Sequence, residues 1–181
     1  MPLTRLSVAW VSHCQMTDTN RRERYAVEVG VDRNLGAELE IGPDDGENDV
    51  AVVEHTLPPG KLAAPLHRHS GEDEISYVLD GTMGIQEGDE VSTLDAGECA
   101  VKRRGVWHTF WNPGPEPLRF LEIIVPGEFA WYFAEVDEIL PAEGDPDETA
   151  AEQLAALHEQ YGFEMKPESV PQLIERHGLE P

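Results

Sequence analysis

Short β-branched and apolar runs, several of them alternating with polar residues, fill the middle of the chain, and turn-forming residues close each one. The runs are Val50 to Leu57 before Pro58-Pro59-Gly60, Ile75 to Leu79 before Asp80-Gly81, Met83 and Ile85 before Glu87-Gly88-Asp89, then Glu98 to Val101 and Leu118 to Val125. Upstream, Tyr25 to Val29 and Leu35 to Ile41 have the same character, and the second stops at Gly42-Pro43-Asp44-Asp45-Gly46. Many short strands at near-regular spacing predict an antiparallel sandwich or barrel.

Past Pro126-Gly127 the period moves from two toward 3.6. Phe129 to Leu140 reads as a helix rich in aromatics. A second helix has Asp145 as its cap, Pro146 at its first position and Glu148 at its third, with Leu154, Leu157 and Tyr161 on one face before Gly162. A third is signalled by the capping-box spacing of Ser169 and Gln172, the apolar pair Leu173 and Ile174, and Gly178 at its end. The chain therefore divides into residues 1–48, whose strands extend the barrel, a barrel core at 49–127, and a helical extension at 128–181 that packs on the barrel or on a neighbouring subunit. No internal repeat is evident.

With 181 residues and 40% hydrophobic content, one domain with appendages is expected. No stretch approaches the roughly 18 apolar residues that span a bilayer, and no basic segment leads into an apolar run at the N-terminus, so the expectation is a soluble, cytoplasmic protein. Cys14 and Cys99 form no Cys-x-x-Cys pair and read as buried free thiols. Charge is the unusual bulk property: 36 acidic against 13 basic residues give −23, and the lysines are Lys61, Lys102 and Lys166. Such a field repels nucleic acid and anionic lipid surfaces. It suits either a protein adapted to concentrated salt or simply an acidic one, and it carries no information about a reaction.

The candidate chemistry lies in four residues. In Leu66-His67-Arg68-His69 strand alternation points both imidazoles into one cavity while Arg68 points away. Glu74 is an odd number of residues from His69, but Ser70-Gly71-Glu72-Asp73 is a turn-like break that resets the register, so that Glu74 faces inward with Ser76 and Val78. His108 shares a face with Phe110 and Asn112. Imidazoles and a carboxylate suit a catalytic transition metal. Ser76, Met83 and Phe110 are the candidate walls of the substrate pocket. His13, His55, His158 and His177 read as structural or surface histidines, and most of Trp107, Trp111, Trp131, Tyr132 and Phe133 read as core or interface.

These residues carry a family resemblance. Gly60…His67-Arg68-His69 with Glu74 and Gly81 resembles the first cupin motif, and Gly97…Gly105-Val106-Trp107-His108…Asn112 resembles the second. The resemblance implies an all-β, antiparallel jelly-roll barrel with a C-terminal helical extension, holding one metal on His67, His69, Glu74 and His108. Two departures stand out: the interval from Gly60 to His67 is one residue longer than the usual pattern, and Arg103 replaces the usual proline, either making the turn differently or offering a cation to an anionic substrate. Three imidazoles and a carboxylate leave two octahedral positions open, which favours iron, manganese, nickel, cobalt or copper, with zinc admissible. Similarity to quercetin-dioxygenase-like cupins implies an oxidoreductase acting on a small phenolic or enolic substrate, with Glu74 as base. The alternatives are a metal-assisted isomerase, cyclase or decarboxylase, and a non-catalytic small-molecule-binding cupin. The same resemblance implies a homodimer, and the absence of a helix-turn-helix pattern argues against a transcription regulator.

Overall fold

The predicted runs become strands, most of them with one buried and one solvent-facing set of side chains, whereas the Met83 and Ile85 run is buried on both faces. The computed structural model describes residues 24–141, 144 and 146–181; His13, Cys14 and Asp145 lie outside these described residues. In chain order the strands are β1 (Ala26–Val29), β2 (Leu35–Ile41), β3 (Ala51–Leu57), β4 (Leu66–His69), β5 (Asp73–Asp80), β6 (Thr82–Glu87), β7 (Glu90–Asp95), β8 (Cys99–Lys102), β9 (His108–Trp111), β10 (Leu118–Val125) and β11 (Phe163–Lys166). Two antiparallel sheets result, ordered β1-β2-β3-β10-β5-β8 and β11-β4-β9-β6-β7. Strands distant in sequence pair side by side, as β10 does between β3 and β5, which is the crossover pattern of a jelly roll.

The inward sets of the two sheets meet as the core. Val53, Val78, Phe120 and Ile124 come from one sheet and Met83, Ile85 and Phe110 from the other. Full burial of such a side chain contributes ~1.5–3 kcal/mol. On the outer face of the six-stranded sheet the alternation leaves apolar residues in a row: Ile41 pairs with Val52, Val52 with Ile123, Ile123 with Ile75, and Ile75 with Val101. Cys99 belongs to this outer face and is exposed, contrary to the expected buried thiol, because β8 is an edge strand whose inward positions go to Ala100 and Lys102.

The C-terminal helices are α1 (Ala130–Ile139), α2 (Glu148–Tyr161) and α3 (Val170–His177). Asp147 caps α2, its carboxylate accepting the Ala150 amide at 2.8 Å. Ser169 does not cap α3. Its hydroxyl instead donates to the Lys166 carbonyl and accepts the Leu66 amide, tying the extension to β4. The sequence pattern missed β7, an exposed edge strand, and β11, four residues between two helices. Gly162 makes β11 possible: it ends α2 in the left-handed region (φ 60°), and a Cβ there would lie 2.0 Å from Ser70 Oγ. The turn delivers Phe163 opposite His69 and Met165 opposite His67.

His55 occupies an inward position of β3, stacked on Phe120 with Nδ1 2.9 Å from the Gly36 carbonyl. Burial pushes its imidazole down to about 4, against the opposing pull of that carbonyl. The folded protein thus keeps His55 neutral where the unfolded chain, with its ordinary value of 6.5, takes up a proton. This contribution to stability is intact above pH 6.5 and is lost as the pH falls toward 4, by up to about 3 kcal/mol. Urea unfolding between pH 7 and pH 4 should therefore show a smaller acid loss in His55→Gln than in the wild type.

Candidate metal centre

Cross-strand register assembles the site. His67 stands directly opposite His108 on β4 and β9, while Glu74 stands directly opposite Lys102 on β5 and β8 of the other sheet. The chain crosses between sheets at Ser70 to Glu72, which is why the carboxylate faces the imidazoles despite its odd spacing from His69. Gly105 holds the second motif against the first by donating its amide to the His69 carbonyl at 2.6 Å. His67, His69, Glu74 and His108 are all buried.

One potential ligand nitrogen from each of His67, His69 and His108 lies within 4.8 Å of the other two. The far side of each ring faces an oxygen: His67 Nδ1 is 2.7 Å from the Pro65 carbonyl, His108 Nδ1 is 3.0 Å from the Val106 carbonyl, and His69 Nδ1 is 2.7 Å from Glu72 Oε1 without hydrogen-bond alignment. A carbonyl only accepts, so His67 and His108 carry their protons on Nδ1 and leave the Nε2 lone pairs free. Burial, reinforced by the neighbouring imidazoles, holds His67 well below its ordinary value, and burial also lowers His108. Neutral rings of this tautomer are the ligating form.

The surroundings fit a cation. His69 Nε2 and His108 Nε2 are buried without a hydrogen-bond partner, a costly arrangement unless something binds them. Glu74 Oε2 is 3.4 Å from His69 Nε2 and 3.6 Å from His108 Nε2. Buried Glu74 and Glu122 share one buried ammonium, that of Lys102, and buried Glu72 stands against His69, so buried carboxyl groups outnumber the buried ammonium in a setting that suits a cation.

Lys102 and Glu122 were not singled out from the sequence. Lys102 Nζ lies 2.9 Å from Glu74 Oε2 and 2.5 Å from Glu122 Oε2, and Ser76 Oγ donates to Glu122 at 3.1–3.2 Å. Burial pulls Glu74 up, but the charges of His69 and Lys102 outweigh it and hold the carboxyl well below its usual range. For Glu122 burial prevails, raising it to about 7; Lys102 opposes the rise and Glu74 adds to it. Both residues had a readable signal. Extending the predicted Glu98 to Val101 strand by one residue puts Lys102 inward with Ala100, and Glu122 interrupts the inward apolar set Leu118, Phe120 and Ile124.

A cavity of about 270 Å³ opens beside the imidazoles. Its polar floor includes His67, His69, Glu74, Lys102 and Glu122, and its apolar walls include Phe110, Phe129, Tyr132, Phe133, Leu154 and Phe163. Of the expected pocket residues, Phe110 lines the cavity. Ser76 does not, since its hydroxyl is bound beneath the floor to Glu122, and Met83 is packed fully into the core. Arg103 turns outward to Glu87 at 3.1 Å, so the cation at the cavity is its neighbour Lys102. Tyr132 and Phe133 are cavity walls as well as core, whereas Trp111 packs in a separate cluster with Leu62, Leu173 and Leu179. No helix among the described residues is long and apolar enough to cross a membrane.

Residues 53–124 match the cupin domain family. The chain is 36% identical over 121 residues to a mannose-1-phosphate guanylyltransferase from Salmonella muenchen, covering 66% of this chain and 24% of that protein. It is 35% identical over 69 residues to an oxalate-binding protein from Thermotoga maritima, covering 38% of this chain and 56% of that protein. It thus spans less than two thirds of the length of these curated relatives. The crystal structure of a predicted oxalate decarboxylase from Thermotoga maritima is similar in fold, with a TM-score of 0.50 at 23% identity over 61% of this chain and 97% of that one.

The carboxylate behind His69 provides a direct check on the centre. Glu72→Gln should weaken binding of a first-row divalent metal about 10–100-fold, as loss of a ligand's outer partner typically does. His69→Ala should abolish stoichiometric uptake, measured by elemental analysis and competition titration.

Proposed function

Residues 53–124 are a cupin domain, and from that premise we propose that the protein is a mononuclear metal-dependent enzyme acting on a small, flat, largely apolar molecule with an acidic hydroxyl or enolisable carbonyl. The observation that carries this reading is the convergence of three buried imidazoles, two of which, His67 and His69, line the floor of an aromatic-walled cavity. His67, His69, His108 and Glu74 are the donors for one divalent transition metal. Bound there, the ion would act as a Lewis acid on a substrate oxygen.

The chain's own residues do the rest. Phe110, Phe129, Tyr132 and Phe133 stack on a flat substrate and keep water from the floor. Glu122 lines the cavity with its carboxyl raised to about 7, near the pH at which a proton carrier works best. Glu74 is less suited to that task, because His69 and Lys102 hold its carboxyl well below its usual range, whereas burial raises that of Glu122. The geometry therefore favours isomerisation, cyclisation or decarboxylation, with Glu122 moving the proton. A quercetin-dioxygenase-like reaction is the second reading, supported by the apolar walls of the cavity, which suit dioxygen.

Metal-loaded protein should turn over enolisable ketones, phenols or β-keto acids without oxygen, and Glu122→Gln should lower kcat about 100-fold. Strict dependence on oxygen with matching oxygen uptake would move the assignment to the dioxygenase reading. Binding without turnover across the panel would leave a small-molecule-binding protein.

The working unit in this proposal is a homodimer joined through the outer face of the six-stranded sheet. The apolar row from Ile41 to Val101 lies there, and both arginines beside it are engaged, Arg104 with Asp73 and Arg119 with Glu54 and Asp80. In a chain of net charge −23 these pairs soften, without cancelling, the repulsion that a second copy meets, and burial of the apolar row opposes what remains. Sedimentation should give a dimer for the wild type and a folded monomer for Ile123→Lys; a monomeric wild type would overturn the assignment.

A further inference from the structure

We propose that Lys102 is a positioning residue whose ammonium, braced by Glu122 and Ser76, holds Glu74 as a single-oxygen donor to the metal. This rests on the metal-dependent reading above and concerns residues outside the expected ligand set. A glutamate side chain can rotate, offer one oxygen or two, or swing away from an ion. Here the oxygen that faces the imidazoles, Oε2, is also the one that Lys102 grips at 2.9 Å.

Lys102 has little freedom to release it. The residue is 2% exposed, its Nζ is 2.5 Å from Glu122 Oε2, and its ammonium sits 4.6 Å from the centre of the Phe110 ring. Glu122 is in turn held by the Ser76 hydroxyl. Register explains the assembly: Glu74 is opposite Lys102, and Ser76 is opposite both Ala100 and Glu122, so three adjacent strands place the brace side by side. Packing alone does not account for it. Burying an ammonium and its carboxylates costs several kcal/mol per ion before their mutual attraction, and an apolar side chain would fill the same space without that cost.

A lone Lys102 substitution would mix two effects, since the ammonium both orients Glu74 and repels the incoming ion. The double variant Lys102→Met/Glu122→Gln removes one charge of each sign and isolates orientation. Titrated with Co²⁺, it should bind about 10–100-fold more weakly than the wild type, with altered visible absorption bands reporting a changed coordination number. Adding Glu74→Gln to the double variant should cost much less than Glu74→Gln costs in the wild type, because the two changes act on one donor. Should the double variant fail to fold, Ser76→Ala keeps every charge and should weaken Co²⁺ binding about 2–10-fold, the value of one hydrogen bond. A folded double variant with wild-type affinity and spectrum would overturn the proposal, as would an unaltered Ser76→Ala. Failure of the underlying reading looks different: wild type and His69→Ala would then bind Co²⁺ equally poorly.

Discussion

The ion pair between Lys102 and Glu74 joins residues that stand directly opposite each other on β8 and β5, so sheet register and site electrostatics are one constraint. Slipping β8 by one residue would turn Lys102 to solvent, and in the slip that puts Val101 against the carboxylate Glu74 and Glu122 would share a buried space with no cation between them. The alternation that fills the core with Val78, Phe120 and Ile124 thus also fixes which charges meet. Apolar packing and polar satisfaction specify the same register, a consistency that favours a single native arrangement.

The imidazoles obey a second register, that of β4 against β9. His67 and His108 are paired across strands, and each turns Nδ1 toward a carbonyl two residues earlier in its own chain, Pro65 and Val106. Local backbone therefore sets both tautomers without help from distant side chains. His69 is the exception, since its Nδ1 faces Glu72, the last residue before β5. The crossing between sheets consequently supplies a partner for one imidazole and delivers Glu74 two residues later.

Much of this was legible in the sequence. Alternation located the strands, and the spacing of His67, His69, Glu74 and His108 picked out side chains that the fold brings together, because a two-residue period converts sequence position directly into direction. Lys102 and Glu122 escape the pattern for a related reason: a charged residue on an inward position contradicts the alternation that defines the strand, which ends the predicted run one residue before Lys102. β11 escaped because four residues between two helices carry too short a period to register, and its position depends on Gly162 closing against Ser70. Asp147 rather than Asp145 begins α2, an ordinary displacement where several capping residues lie in a row. Met83 faces the interior as alternation requires but packs in the core away from the cavity lining, because alternation gives the face of a strand and not which part of the interior that face meets.

The origin of the cavity walls limits what the relatives can say about the substrate. The polar floor lies on β4, β5, β8 and β10, inside residues 53–124, where the cupin match falls. Phe129, Tyr132, Phe133, Leu154, Phe163 and Met165 come from beyond it, on the extension that β11 and Ser169 fasten to β4. The two parts answer different questions, since the floor sets what chemistry is possible and the walls set which molecule reaches it. A sugar phosphate or a small dicarboxylate presents several anionic oxygens, whereas among the described lining residues Lys102 is the sole lysine or arginine, and its charge is already shared between Glu74 and Glu122. Aromatic walls over such a floor instead suit a flat apolar body with one ionisable oxygen directed at the imidazoles.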